Sequence, residues 1–257
     1  MKRILTTIAV MTMMSTNMPA QGYGDEGPTL APNRLGLVYE NAIEKNEDGK
    51  VNMHKVNYKA DGIAVVANVY TPAGYTPNGS CAAVVVAHPN GGSKEQVAGL
   101  YAQRLAEAGF VAIAFDARYQ GESGARGDGL RKHVARRGPP VKVDLYREGY
   151  FYYAVTHKTS NAPGSYLKSS LMDMMAWDAT DHADLISQPL LVIAGEKADS
   201  RYMSEEAFAK ATGTADKQLL IIPGATHIKT YYVPEYVNQI TAKIQGFFAS
   251  KLNQNNK

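Results

Sequence analysis

Four short runs constrain this chain more than any other feature: CAAVVVAHP (81–89), FVAIAF (110–115), PLLVIAG (189–195) and KQLLIIPG (217–224). Each is continuously apolar over four to seven positions and rich in Val, Ile, Leu or Ala, with Gly, Pro or polar residues at its ends. Runs of that length read as strands covered on both faces, not as helices or as one-sided strands. Between the first two lies a helical segment. Val97, Leu100, Tyr101, Leu105 and Ala108 share one face, Ser93 and Gln96 are spaced as a capping box, and Gly109 stands where a helix-ending glycine belongs. Between the last two, SEEAFAKAT (204–212) ends at Gly213, and Pro234 to Leu252 carries Val237, Ile240, Ile244 and Phe247 at helical spacing. Strand and helix in alternation predict a mostly parallel sheet layered between helices, a three-layer α/β sandwich.

Upstream, KVNMHKVNYKAD (50–61) and GIAVVANVYTP (62–72) alternate with period two and predict a hairpin turning at Asp61-Gly62. The first twenty residues, MKRILTTIAVMTMMSTNMPA, have a basic start, an apolar stretch from Ile4 to Met14 and a cut site after Ala20. That layout predicts a secretory signal and a periplasmic or secreted mature protein, residues 21–257, forming a single α/β domain. No other stretch approaches the roughly 20 apolar residues that a membrane span needs. Cys81 is the single cysteine, so no intrachain disulfide exists. The formal charge of +3, which falls to +1 without Lys2 and Arg3, gives no reason to expect a nucleic-acid partner. The five basic residues between positions 126 and 137 lack interleaved aromatics and read as a solvated loop.

In a parallel sheet, chemistry gathers at the carboxyl ends of the strands. After 81–87 comes His88-Pro89-Asn90-Gly91-Gly92, where glycines let backbone N–H groups approach a substrate oxygen; a plain strand-to-helix turn explains the stretch equally well. After 189–195 comes Glu196-Lys197-Ala198-Asp199, and after 217–222 comes Pro223-Gly224-Ala225-Thr226-His227. An acid followed by a histidine on successive strand tips suits a carboxylate that orients an imidazole base. Asp178, Asp181, His182 and Asp184 match no ligand spacing and read as an exposed acidic loop, so no metal is expected. REGYFYY (147–153) suits the lining of an acyl pocket and packing against a sheet equally.

The stretches 84–124, 147–153 and 189–232 resemble the α/β-hydrolase superfamily, near its exported members that are dienelactone-hydrolase-like or acetyl-xylan-esterase-like. The resemblance implies ester or lactone hydrolysis by acyl transfer to water on a small-molecule substrate, with no cofactor. It assigns Asp199 as triad acid with Glu196 in reserve, His227 as general base, and His88, Asn90, Gly91 and Gly92 to the oxyanion loop. It also implies a nucleophile elbow, G-x-S-x-G or its cysteine variant, on a central strand between 115 and 189. Neither pattern occurs anywhere in the chain. The elbow strand, its helix and the next strand are replaced by GARGDGLRKHVARRGPPVK, which has neither strand alternation nor a helical stripe. Ser93, Ser123, Ser165 and Cys81 each read better as structural than as a substitute nucleophile.

Two expectations follow for function: a hydrolase, or a descendant that binds an ester or a protein partner without turnover. Losing two central strands also leaves two interior strand edges open. Residues 141–157 offer a replacement strand only weakly.

Overall fold

The computed structural model describes residues 29–124, 131–132, 143–162, 166–167 and 170–252. The leader expected over 1–20, nearly all of the basic stretch 124–140 and Ser165 lie outside them. The described residues form two compact units. One takes in 29–124 and most of 131–174; the other is built from 143–145 and 175–252.

The first unit is organised by a four-stranded sheet. β1 (Asn52–Ala60) and β2 (Ile63–Thr71) pair antiparallel along their full length, from Asn52 opposite Thr71 to Ala60 opposite Ile63. The turn falls at Asp61 and Gly62, both with φ near +50 to +80°, as a two-residue hairpin of this twist requires. β3 (Ala83–Ala87) and β4 (Val111–Phe115) are parallel, β4 also pairs antiparallel with β2, and the order is β1-β2-β4-β3. α1 (Val97–Glu107) packs on β2, β3 and β4 through Val97, Ala98, Leu100, Leu105 and Ala106, all buried. Gly109 takes φ +93° just beyond its end, where a side chain would be strained. Only half of the capping box forms. The Gln96 carboxamide oxygen accepts the Ser93 N–H at 3.1 Å, but Gln96 is itself the N-cap, so the Ser93 hydroxyl has no helix amide to accept.

β3 departs from the expectation that it is covered on both faces. Val84 is buried under α1, whereas Val85, one residue on and therefore pointing the other way, is 57% exposed. Among the described residues β3 ends its sheet, with β4 on one side and no strand on the other. An apolar run written for a central strand thus stands at an edge.

The remainder of this unit is short elements. β5 (Arg131–Lys132) pairs antiparallel with β6 (Tyr166–Leu167). α2 (Asp144–Tyr150) runs directly into a π-helical turn over Phe151–Thr156, so among the described residues of 141–157 there is helix and no replacement strand. Tyr152 and Tyr153 of that turn are buried, and the Tyr152 ring stacks on His157 with centroids 4.3 Å apart. These two aromatics are packed in the interior, while Tyr150 and Phe151 are half-buried.

The second unit, entered along α3 (Leu171–Ala176), has a two-stranded parallel sheet. β7 (Leu190–Gly195) pairs with β8 (Lys217–Ile222) in register from Leu190–Lys217 to Gly195–Ile222. α4 (Arg201–Lys210) begins three residues earlier than the sequence pattern suggests, and α5 (Pro234–Leu252) has the expected bounds. Both helices pack on β7 and β8. The α/β architecture expected from the sequence is present; the described residues form sheets of order 1-2-4-3, 5-6 and 7-8.

Candidate active site

His227 follows β8 and opens a short helical turn, Ile228–Tyr231. Its ring is held at both nitrogens. The Ser200 hydroxyl lies 2.6 Å from Nδ1, and the Tyr231 hydroxyl lies 2.8 Å from Nε2. The Tyr231 ring also meets the imidazole edge-on at 5.4 Å. Burial pushes the His227 pKa down to about 4, against the pull of the nearby Asp199 carboxylate, which favours the protonated ring. At neutral pH the imidazole is therefore uncharged, with one nitrogen free to accept a proton.

Asp199 stands on the turn between β7 and α4, exposed to solvent. It does not bond the imidazole. Its Oδ2 accepts the Leu145 N–H at 3.1 Å, and its influence on His227 is Coulombic. Glu196 is committed elsewhere, accepting the Gly224 N–H at 2.8 Å and so closing the turn that precedes His227. The contact to Nδ1 belongs to Ser200, one residue past Asp199. Sequence reasoning missed Ser200 because it sought a nucleophile before β7. The available signal was a serine between a buried strand and a helix start, facing a histidine turn.

The proposed oxyanion-loop residues belong to the first unit. His88 Nδ1–H donates to the Pro89 carbonyl at 2.7 Å and Nε2 accepts the Ala117 N–H at 3.0 Å, which fixes its tautomer. Burial lowers its pKa, partly offset by the Pro89 contact. Asn90 Oδ1 faces the Gln120 amide at 3.4 Å. The Gly92 N–H donates to the Pro89 carbonyl at 2.8 Å, which makes the stretch a closed turn; the Gly91 N–H donates to no described residue. Ser93 is fully buried, Ser123 bridges the Val66 N–H and the Asp116 carbonyl, and Cys81 is exposed ahead of β3.

No family model matches the chain. It is 24% identical to the uncharacterized protein YcjY of Escherichia coli, over 74% of this chain and 95% of that protein. It is 25% identical to the uncharacterized protein PA2218 of Pseudomonas aeruginosa, over 79% and 82%. The crystal structure of PA2218 superposes with a TM-score of 0.63 at 21% identity, covering 91% of this chain and all of that one. A soluble variant of Saccharomyces cerevisiae monoglyceride lipase gives 0.54 at 11% identity, over 78% and 97%. Est1E from Butyrivibrio proteoclasticus, with ferulic acid bound, gives 0.53 at 12%, over 77% and 99%.

This is an α/β-hydrolase fold. The YcjY match extends over 292 aligned positions, more than the 257 residues of the whole chain. That relative therefore carries sequence with no counterpart here. His227 follows β8 and Asp199 follows β7.

A second charged cluster lies in the first unit, and no sequence signal marked it. The Lys94 ammonium is fully buried and reaches Glu95 at 2.5 Å, Asp116 at 2.7 Å and Glu122 at 2.6 Å. Asp116 also accepts the backbone N–H groups of Lys94 and Glu122. Burial opposes the Lys94 charge, but Glu95 and Asp116 outweigh it and hold the ammonium pKa well above its ordinary value. The three carboxylates lie within 4.8 Å of one another, a spacing open to a metal ion. Lys94 already supplies the cation at their centre, so the cluster reads as structural.

The depressed His227 pKa has a consequence for stability. Between about pH 6.5 and 4 the unfolded chain protonates this ring and the folded chain does not. Stability therefore falls as pH drops through that window and levels off, for this group, below about 4. His157, whose pKa burial also pushes down to about 4, acts in the same direction. Thermal melts from pH 7.5 to 4 are expected to show a falling Tm, with a shallower slope in His227→Gln.

Proposed function

We propose that this α/β-hydrolase fold acts on small ester or lactone substrates by acyl transfer to water, with His227 as the general base. The observation that carries the reading is the buried, neutral imidazole held at Nδ1 by Ser200 at 2.6 Å and at Nε2 by Tyr231 at 2.8 Å. A neutral ring at pH 7 accepts a proton from an attacking hydroxyl, and the adjacent Asp199 charge favours the imidazolium that results. Because no elbow motif occurs in the sequence, turnover is expected far below that of a complete triad.

The test is p-nitrophenyl acetate hydrolysis by the purified chain. The reading expects a rate that rises with pH as His227 loses its proton near pH 4 and is level by pH 6.5. His227→Ala is expected to lose about 100-fold, the lower end of what a positioned base contributes. Background hydrolysis unchanged in that variant would favour a second reading, a non-catalytic binder of a small ester or a protein. That reading is favoured by Asp199, whose carboxylate bonds Leu145 and not the imidazole.

A further inference from the structure

We propose that Ser200 is the nucleophile of this protein, activated by Nδ1 of His227. The inference deepens the hydrolase reading above and rests on it. A complete α/β-hydrolase site uses a serine on the elbow strand and turns Nδ1 toward the acid. This chain has no elbow motif, and its acid is bonded elsewhere. Nδ1 is instead the nitrogen that meets a serine.

Three features of the geometry support the assignment. First, the Oγ–Nδ1 separation of 2.6 Å is within the range over which a base takes a hydroxyl proton. Second, the Tyr231 hydroxyl lies 2.8 Å from Nε2; in the tautomer this chemistry needs, it accepts Nε2–H and leaves the lone pair on Nδ1. Tyr231 acts through the ring and is a positioning residue. Third, Ser200 ends a strand-turn-helix unit: β7 leads to 196–199, Ser200 is the N-cap of α4, and its side chain makes no capping bond. The hydroxyl is thus not consumed by the helix it precedes, and it lies at the helix's positive end, where negative charge on a tetrahedral intermediate is favoured. Ser200 is half-buried between the exposed Asp199 and the exposed Tyr202, so a small ester reaches it from solvent. Its backbone, at φ −91° and ψ 6°, lacks the left-handed strain of an elbow.

In the acyl-transfer step the Ser200 Oγ–H proton moves to Nδ1 while Oγ bonds the carbonyl carbon. The tetrahedral intermediate then expels the alcohol, which leaves with the proton from Nδ1. Water repeats the cycle on the acyl-serine: its proton passes to Nδ1, the carboxylic acid departs, and Oγ recovers the proton. A fluorophosphonate intercepts the first half. Oγ bonds phosphorus, fluoride departs, and the proton is left on the imidazole.

The experiment labels the full chain with a fluorophosphonate and maps the adduct by mass after cleavage at glutamate, which isolates 197–205. The expected result is a single adduct on Ser200, absent in Ser200→Ala, about 100-fold slower in His227→Gln, and unchanged in Ser204→Ala. In case Ser200→Ala misfolds, Ser200→Cys provides an independent measurement. Its thiol is expected to react with iodoacetamide about 10-fold faster than the exposed Cys81, because a base-paired thiol has more thiolate. Two results overturn the inference: no adduct on Ser200, or a thiol in Ser200→Cys no more reactive than that of Cys81. Nitrophenyl acetate hydrolysis separates the two readings. Turnover that needs His227 but survives Ser200→Ala keeps the hydrolase and removes this nucleophile. A Ser200 adduct without any turnover keeps the nucleophile and removes the hydrolase.

Discussion

Replacing Lys94 with methionine is expected to destabilise the first unit by about 3–5 kcal/mol, the cost of removing one partner from a buried ionic cluster. The side chain is fully buried, and so is Asp116; Glu95 is 2% exposed. Methionine preserves most of the volume, so the loss is electrostatic. Three carboxylates that shared one ammonium are left facing each other in a region largely closed to water. Two of them also anchor other groups: Asp116 holds the Lys94 and Glu122 N–H groups, and Glu95 accepts the Asn161 side-chain amide. The measurement is urea denaturation at pH 7, read as a lower midpoint at unchanged slope. Lys94→Met combined with Asp116→Asn is expected to cost less than the two single changes summed, since each alone strands charge that the other removes. A Lys94→Met stability within about 0.5 kcal/mol of the parent would falsify the claim that this cluster holds the unit together.

The second large effect is expected at Gly195. This residue ends β7, and a Cβ there would strike the Ala225 carbonyl and come within 3.0 Å of the Thr226 carbonyl oxygen. These are backbone atoms in a tied turn: the Lys197 N–H donates to the Ala225 carbonyl at 2.9 Å, and the Ala225 N–H returns to Ile222. Nothing there rotates aside. Gly195→Ala therefore pushes residues 225–226 off the end of β7, at about 1–3 kcal/mol for overpacking. His227 is the next residue, so its 2.6 Å contact to Ser200 opens as well. A displacement near 1 Å at a reacting group is worth about 100-fold in rate, and both the melting transition and nitrophenyl acetate turnover are expected to record the change. Gly246→Ala is the contrast. It lies inside α5 with nothing within 4 Å of its Cβ position, and a gain of about 0.5–1 kcal/mol is expected from helix propensity.

The strand-helix alternation was readable because periodicity and punctuation are local. β4, β7, β8 and α5 fall within a residue or two of their sequence patterns, and the Asp61-Gly62 turn lies where its residues demanded. β3 was misread in its burial. A continuous apolar run is a local signal, and cannot report that among the described residues β3 has a strand on one side only. At the site, Asp199 and His227 could be picked out by their order along the chain, but their partners could not. Which hydroxyl meets Nδ1 depends on how the turn after β7 curls, a matter of one residue. Lys94 was invisible for a related reason. Lysine and glutamate side by side resemble a solvated surface, and only the fold places Asp116 and Glu122 around them.

The open side of β3 has a consequence beyond its own residues. Peptide groups along that rim have no neighbouring strand among the described residues, and Val85 presents its methyls to water beside them. Such a rim is an invitation to any other extended backbone. Its shortness, five residues beginning and ending in alanine, limits how long a ladder could grow. Colloidal behaviour, more than chemistry, is where an uncovered β3 edge is expected to tell first.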